Sequence, residues 1–348
     1  MLIFADPCGK FYATTAQALQ GLYTNLTAVA IKTTGLPAGN VEDTCFDLSG
    51  ANCEGRILVP TSAGPYIYAV RLYIASSIPS NFQFLNVMDH TGTSQVMYVL
   101  NANGTISSFR GNFQTALLGN GTTAATLLPN TWNRIEFKTS ISTTTGISAI
   151  RVNGITVLNL TNQNTQNSGN TDIGFFRFIG SANSGGPTLT GYAQSMYICD
   201  TTGSFNNDYM GDLSWKVSNA SRPGSFAQFA NNGAATNWQC MADVTPDDLT
   251  TYASDPTPGD RTSVGYASAA SGTIPAVVHI SRVAKSDAGS RTFAQTIRSG
   301  TTDIIGPTTA PTTSFAYYTQ IAETDPATGL PWTTGALNAV EGGVKIIA

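Results

Sequence analysis

The chain has 348 residues, enough for two domains with sizeable cores. Charged residues make up only 11% of it, with Lys+Arg 17 against Asp+Glu 21 and a net charge of −4, and neither sign forms a run. Duplex binding needs clustered cations to displace phosphate counterions, so nucleic acid is not expected as a partner; no stretch approaches the ~18 to 20 apolar residues of a membrane span, so membrane insertion is not expected either.

Helical periodicity is nearly absent. Only TTAQALQGLY near the start and DDLTTYA near residue 250 have the pattern of short helical turns. The rest alternates with period two between Gly, Asn and Pro, which predicts an all-β sandwich. In chain order, the first strand of the series, 66–74, sets Tyr66, Tyr68, Val70, Leu72 and Ile74 on one face. Asp89-His90-Thr91-Gly92 is a turn, and strand 95–100 runs to Asn103-Gly104 and returns through Ile106. Strand 134–138 alternates around Ile135 and Phe137, and strands 148–152 and 155–158 flank Asn153-Gly154. Asn-Gly suits a type I′ hairpin turn because both central residues need positive φ, which Asn tolerates and Gly adopts freely. Strands 175–179 and 192–199 complete the first set.

Beyond Gly211 the character changes. Residues 213–260 are irregular and hold Trp215, Trp238 and a group of acids. A second β-rich series follows at 262–267, 276–285, 291–299, 302–305, 314–322 and 343–347. The expected organisation is a sandwich over 1–212 and a smaller β-sandwich over 213–348, the latter entered through 213–260. Tyr66, Tyr68, Phe82, Phe84, Trp132, Phe137 and Phe175 recur at strand period and are expected mostly in the core. Trp332 is expected to plug the second domain against its last strand.

The five cysteines (Cys8, Cys45, Cys53, Cys199, Cys240) form no CxxC; Cys45 and Cys53 are near enough to pair, but free buried thiols are the preferred reading. MLIFADPCGK has no basic n-region and no apolar run of signal-peptide length. Without a signal, the Asn-x-Ser/Thr sequons at Asn25, Asn103, Asn120, Asn159 and Asn219 carry no weight.

Candidate chemistry is sparse. Glu136 stands alone between Arg134 and Lys138 and is expected to point to solvent, whereas glycoside hydrolysis needs two carboxyls roughly 5–10 Å apart. The only histidines, His90 and His279, fall in separate domains and lack zinc-site spacing. No Gly-x-Ser-x-Gly elbow occurs. The chain is therefore expected to be no enzyme. The best candidate site is the loop of Asp200, Asn206, Asp208 and Asp212, whose hard oxygens suit calcium. The alternative, preferred because the spacing is not that of an EF-hand, is that Asp200 and the Asn-Asn-Asp run cap a tight loop. Asp243, Asp247 and Asp248 are read as a helix-start cluster complementing a dipole.

Two sets of motifs carry resemblances. TWNRIEFK, a Gly-bearing turn and IRVNGITVL are similar to laminin-G and concanavalin A-like jelly rolls. Jelly-roll glucanases of that fold carry a Glu-x-Asp-x-Glu strand, which is missing here. MYICDTTGSFNNDYMGDL (196–213), DVTPDDLTTYAS (243–254) and ETDPATGLPWTTGALNAVEGGVKIIA (323–348) resemble tailed-bacteriophage structural proteins. That resemblance implies a virion component assembled in the host cytoplasm, associated with the tail, baseplate or fibre. Its partners would be other virion proteins, symmetric copies of itself (trimers among them) and host cell-surface glycans. Low charge means little self-repulsion in such packing. Alternatives are a head decoration protein, a stand-alone carbohydrate-binding lectin and a glycan depolymerase.

Overall fold

A computed structural model describes residues 1–12, 14–180, 187–267 and 272–348. The protein is all-β and divides into two compact units: Met1–Lys10, Thr14–Leu19 and Tyr23–Trp215 in one, Phe11–Ala13, Gln20–Leu22 and Lys216–Ala348 in the other.

The first unit is a sandwich of two antiparallel sheets. Its strands are β1 (Leu2–Asp6), β2 (Asn25–Thr27), β3 (Ala30–Lys32), β4 (Cys45–Asp47), β5 (Glu54–Ser62), β6 (Tyr66–Ile74), β7 (Phe82–Met88) and β8 (Ser94–Leu100). They continue with β9 (Ile106–Arg110), β10 (Ala116–Asn120), β11 (Trp132–Ser140), β12 (Gly146–Val152), β13 (Ile155–Gln163), β14 (Ile173–Ile179) and β15 (Gly191–Asp200). The larger sheet has the order β13-β12-β11-β6-β15-β4-β3, with β1 also paired to β15; the smaller runs β10-β9-β8-β7-β14-β5-β2. Aromatic side chains from the inner faces fill the space between them. Tyr68 stacks on Phe176 with centroids 5.7 Å apart, and Tyr98 meets Phe137 at 4.6 Å. Rings of this size supply large buried areas, and their offset and tilted geometries suit the ring quadrupoles.

The Asn153-Gly154 turn has φ of 50° and 81°, both positive as a type I′ turn requires. It sets the register of β12 with β13, Val152 opposite Ile155, while β12 also pairs with β11, Ile135 opposite Val152 and Phe137 opposite Ile150. At Asn103-Gly104 only the glycine is left-handed, at φ 81°. The Asn103 side chain accepts from Thr105 N at 3.1 Å, so this loop is built on a local Asx bond rather than on two left-handed residues. Phe175 departs from expectation. It is half-exposed on the outer side of β14 beneath Arg56, because Phe176 and Phe178 take the inward positions. All five cysteines are free and buried.

The second unit contains β16 (Ala220–Ala227), β17 (Ala230–Asn232), β18 (Tyr252–Ser254), β19 (Arg261–Tyr266), β20 (Val277–Val283), β21 (Phe293–Ser299), β22 (Thr302–Ile305), β23 (Ala316–Ala322) and β24 (Glu341–Ile346). A five-stranded sheet of order β16-β19-β24-β21-β22 is accompanied by the pairs β20-β23 and β17-β18. Buried Gln295 of β21 ties two of these together, donating to Tyr318 O and Ser281 Oγ, each at 2.9 Å, on β23 and β20. Trp332 is buried against Ile274, Ile297, Ala322 and Val340, and its indole N–H donates to Ala322 O at 2.8 Å.

The helical content differs from the sequence expectation. Near the start, Thr15–Ala18 forms one turn (α1), capped by Thr14. DDLTTYA forms none: Asp248 sits at φ 56° and the segment runs into β18. Asp247 there accepts from Thr251 N at 2.9 Å, a local side-chain bond of the kind that competes with helix. The reading of Asp243, Asp247 and Asp248 as a helix-start cluster is corrected accordingly; Asp248 instead pairs with Arg282 at 2.6 Å. A helix does occur at Thr334–Ala339 (α2), where Thr333 accepts from Ala336 N.

Candidate functional site

The outer face of the larger sheet holds the densest chemistry in the first unit. On β11, Trp132, Arg134, Glu136 and Lys138 share one parity and face away from the sandwich core. Arg71 and Tyr73 of β6 and Arg151 of β12 fall on the same side by register. On β15 a bulge between Gln194 and Tyr197, with Ser195 at φ 49°, returns both Gln194 and Tyr197 to that side.

At one end three aromatics lie side by side across adjacent strands. Trp132 is opposite Tyr73, and Tyr73 is opposite Tyr192. Their ring centroids are 5.5 Å and 6.1 Å apart. Tyr73 and Tyr192 are half-exposed, Trp132 nearly buried. Two cations flank the row: Lys32 Nζ lies 5.2 Å from the Tyr192 ring and the Arg71 guanidinium 5.9 Å from Trp132.

The centre of the face is ionic and buried. Glu136 is 1% exposed, which corrects the expectation that it points to solvent. It accepts from the Tyr197 hydroxyl at 2.5 Å and from Gly211 N at 3.0 Å. Arg134 is 3% exposed, donates from Nη1 to Ser195 O at 2.9 Å and lies 4.6 Å from the Tyr197 ring. Burial pushes the Tyr197 phenol well above its ordinary range; the Glu136 carboxylate adds to the rise and Arg134 opposes it.

What covers this centre is the chain's own segment 201–215, which has no regular structure and crosses the strands as a strap. Asp208 pairs with Lys138 at 3.1 Å, and Tyr209 lies 3.9 Å from the Arg151 guanidinium. Met210 N donates to the Tyr197 hydroxyl at 2.9 Å, and Asp212 pairs with Arg71 at 3.2 Å. Trp215 N donates to the buried Glu42 at 2.7 Å, and its indole N–H to Met196 O at 3.2 Å. Partial burial pushes the Asp208 carboxyl up, but the hydrogen bond from Lys138, a backbone bond and the nearby cations outweigh it and hold the group below the usual carboxylate range.

The residues considered for calcium are therefore dispersed. Asp200 binds the Met1 amino group at 3.0 Å and closes a turn through Thr202 N at 3.0 Å, while Asp208 and Asp212 serve Lys138 and Arg71. Asn206, at φ 46°, sits in the turn where Asn207 donates to Gly203 O at 2.9 Å. Three carboxylates take three different cations, so these residues do not fit a shared calcium site. No group of three or more His, Cys, Asp or Glu placed to hold a metal occurs among the described residues.

Neither histidine is on the strands of this face. His90 Nδ1 is 2.8 Å from Asp172 in its turn. His279 is buried beside the Tyr266 hydroxyl at 3.1 Å in the second unit, and burial lowers it to about 4 despite a hydrogen bond to the Gly343 backbone, which raises it.

Sequence reasoning missed that Arg71, Tyr73, Tyr192, Gln194 and Tyr197 share the face of Glu136, and that Tyr197 is its hydrogen-bond partner. The signal available was Trp-x-Arg-x-Glu-x-Lys at 132–138, where large aromatics and cations occupy the parity that a solvated sheet face gives to small polar residues.

No family model and no curated protein matches the chain. Among solved structures it is similar to domain 4 of AbnA, a GH43 extracellular arabinanase from Geobacillus stearothermophilus, at 14% identity and TM-score 0.33, covering 49% of this chain and 75% of that one. It is similar to the cellulose induced protein Cip1 at 16% identity and TM-score 0.37, covering 49% and 84%. Similarity to the alginate lyase Aly36B is at 12% identity and TM-score 0.38, over 57% and 97%. That to a Trypanosoma rangeli sialidase is at 10% and 0.34, over 51% of this chain and 29% of the sialidase. Because an arabinanase domain, an alginate lyase and a sialidase stand among these structures, the expectation that the chain is no enzyme is withdrawn. The chain is an all-β protein whose first unit is a two-sheet sandwich with an ionic, aromatic outer face.

Proposed function

We propose that the first unit contacts a glycan through the outer face of its larger sheet. The observation that carries this is the row Tyr192–Tyr73–Trp132, three rings abreast with two of them half-exposed. Sugar rings present apolar C–H faces that stack on aromatic rings, while their hydroxyls need nearby polar groups for orientation. The row is flanked by Lys32 and Arg71, which supply donors beside a flat apolar platform.

A glycan array read with the wild-type protein and with Tyr73→Ala tests this. Tyr73 is half-exposed, so its truncation leaves the core intact. Binding to at least one glycan class, weakened about tenfold or more by Tyr73→Ala, is expected. Silence of the array, or binding indifferent to Tyr73, rules the reading out. The glycan-cleaving alternative has its own support in the buried Tyr197–Glu136 pair beside Arg134. Chromatography of the bound polymer tests it, since a fall in chain length reports cleavage.

The chain is further proposed to be carried, in symmetric copies, on the tail of a phage particle. The support is the likeness of residues 196–213, 243–254 and 323–348 to tailed-phage structural proteins. Mass spectrometry of purified particles would contain its peptides, and gold-labelled antibody would mark the tail. Labelling on the head would favour the decoration alternative, and absence from the particles sinks both.

A further inference from the structure

On this face several buried donors have no acceptor among the described residues. Trp132 Nε1, Arg71 Nη1, Arg134 Nε and Nη2, and Arg151 Nε are enclosed and without a hydrogen-bond partner among the described residues. Trp132 and Arg71 are each 9% exposed and Arg134 only 3%. Leaving one such donor unpaired costs about 1–3 kcal/mol, more for charged groups. A sheet face that only had to be covered would carry apolar residues; this one carries guanidinium groups and an indole N–H in excess of the acceptors given to them.

The strap meets the same face through carboxylates. Asp208 sits on Lys138 and Asp212 on Arg71, yet both acids are themselves mostly exposed, with side-chain exposures of 61% and 57%. Ion pairs that open to solvent are worth only about 0–1 kcal/mol each. The middle of the strap is fixed by the buried bonds of Met210 N to Tyr197 and Gly211 N to Glu136, but its carboxylates meet a cationic face through weak, exchangeable contacts and leave deeper donors unsatisfied.

We infer that this face is the binding site of an anionic, carboxylate-bearing glycan, and that the strap 201–215 is a self-ligand whose Asp208 and Asp212 occupy the places of the glycan's carboxylates. The inference rests on the glycan reading above and adds the ligand's charge and the strap's role. Lys138, Arg151, Arg71 and Arg134 present a run of cations, and planar guanidinium groups match carboxylates in paired hydrogen bonds. The aromatic row at the end of the face takes an adjoining sugar ring. Strap and glycan compete, so the strap lowers affinity in the isolated chain. A densely carboxylated polymer, presenting many copies of the ligand, overcomes it.

Titration calorimetry with an oligogalacturonate and with neutral dextran of the same length, on wild type, Asp208→Asn/Asp212→Asn and Tyr73→Ala, tests the proposal. The isosteric double change keeps the strap's shape and removes its charge. Oligogalacturonate is expected to bind the double variant at least tenfold more tightly than wild type, and to bind Tyr73→Ala more weakly. In unaltered protein, amide exchange of 201–215 is expected to quicken when saturating oligogalacturonate is added, a readout that depends on no variant. Unchanged or weakened oligogalacturonate binding in the double variant overturns the proposal, as does unchanged exchange of the strap. Equal affinity for a single-stranded DNA oligomer of matched charge overturns it as well. Dextran binding lost in Tyr73→Ala, with no gain from Asp208→Asn/Asp212→Asn, overturns the anionic site while leaving the glycan reading intact. A gain for oligogalacturonate that is indifferent to Tyr73 keeps the strap and removes the aromatic platform.

Discussion

Glu136 illustrates why a side chain's surroundings decide its role. Its strand alternates apolar and charged residues, the pattern of a sheet with one wet face, yet the residue is 1% exposed. A buried carboxylate persists only with hydrogen-bond partners, and here Tyr197 and Gly211 supply them. Glu136→Ala leaves a phenol and a backbone N–H without their acceptor, for an expected loss of about 2–4 kcal/mol in denaturant unfolding. Glu136→Gln retains an acceptor and should cost about half as much. Equal losses for the two would mean that charge, not hydrogen bonding, secures the strap. His279 carries a second residue-scale prediction. Burial depresses its folded-state value to about 4, below the ordinary 6.5, so the unfolded chain takes up the proton first. The stability this provides is complete above pH 6.5 and is lost as pH falls from there towards 4, by about 3 kcal/mol at most. Melting curves of wild type and His279→Gln should differ in slope across that window; parallel curves would contradict the assignment.

At the scale of elements, two glycines with the same backbone angle separate conformation from packing. Gly104 and Gly154 both have φ of 81°. A Cβ at Gly154 would meet nothing within 4 Å among the described residues, whereas one at Gly104 would lie 2.5 Å from Leu127 O. Gly154→Ala is therefore expected to cost about 1–2 kcal/mol, the penalty for a left-handed L-residue alone. Gly104→Ala should cost roughly 3 kcal/mol or more, because backbone must also shift. Chemical denaturation of the two variants checks the order, and a reversed order would show that the loop around Leu127 yields freely. The same elements mark how far the sequence could be read. Asn153-Gly154 was legible because a type I′ turn needs those residues, and β11 and β12 because their alternation is strict. β16 was hidden: Pro223 and two-sided polarity in ASRPGSFA blur the period, and its pairing with β19 is interrupted by irregular register. DDLTTYA reads as helix until the Asp side chains take their local bonds, and α2 was overlooked because its Gly335 and Asn338 are poor helix formers. The outer face was hidden for a different reason. Alternation tells which residues point away from the core, but not that a strand-less segment far along the chain will cover them.

Across the whole molecule, the five thiols unite composition and burial. With charged residues at only 11%, the chain relies on packed strands, and every cysteine is buried, Cys45 and Cys199 within strands and the others in the segments beside them. Burial pushes Cys45, Cys53 and Cys199 up to about 12 and Cys8 well above its ordinary value, with nearby carboxylates adding to the rise. The nucleophile in thiol chemistry is the thiolate, so at pH 8 these groups are both sheltered and almost wholly protonated. An aromatic disulfide reagent is therefore expected to leave the native protein unmodified over minutes and to titrate all five thiols once guanidinium unfolds it. Because reagent access requires opening of the surrounding strands, the slow native reaction measures local stability site by site, and modification mapped by mass spectrometry would rank it. Cys199 lies at the strap end of β15, where its thiol meets Asp208 O at 3.6 Å. Loosening the strap with Asp208→Asn/Asp212→Asn should therefore quicken modification of Cys199 ahead of Cys8, Cys45 and Cys53. Prompt modification of Cys45 and Cys53 in the unaltered native protein would instead place the weakest part of the first unit at β4 and the start of β5, away from the strap.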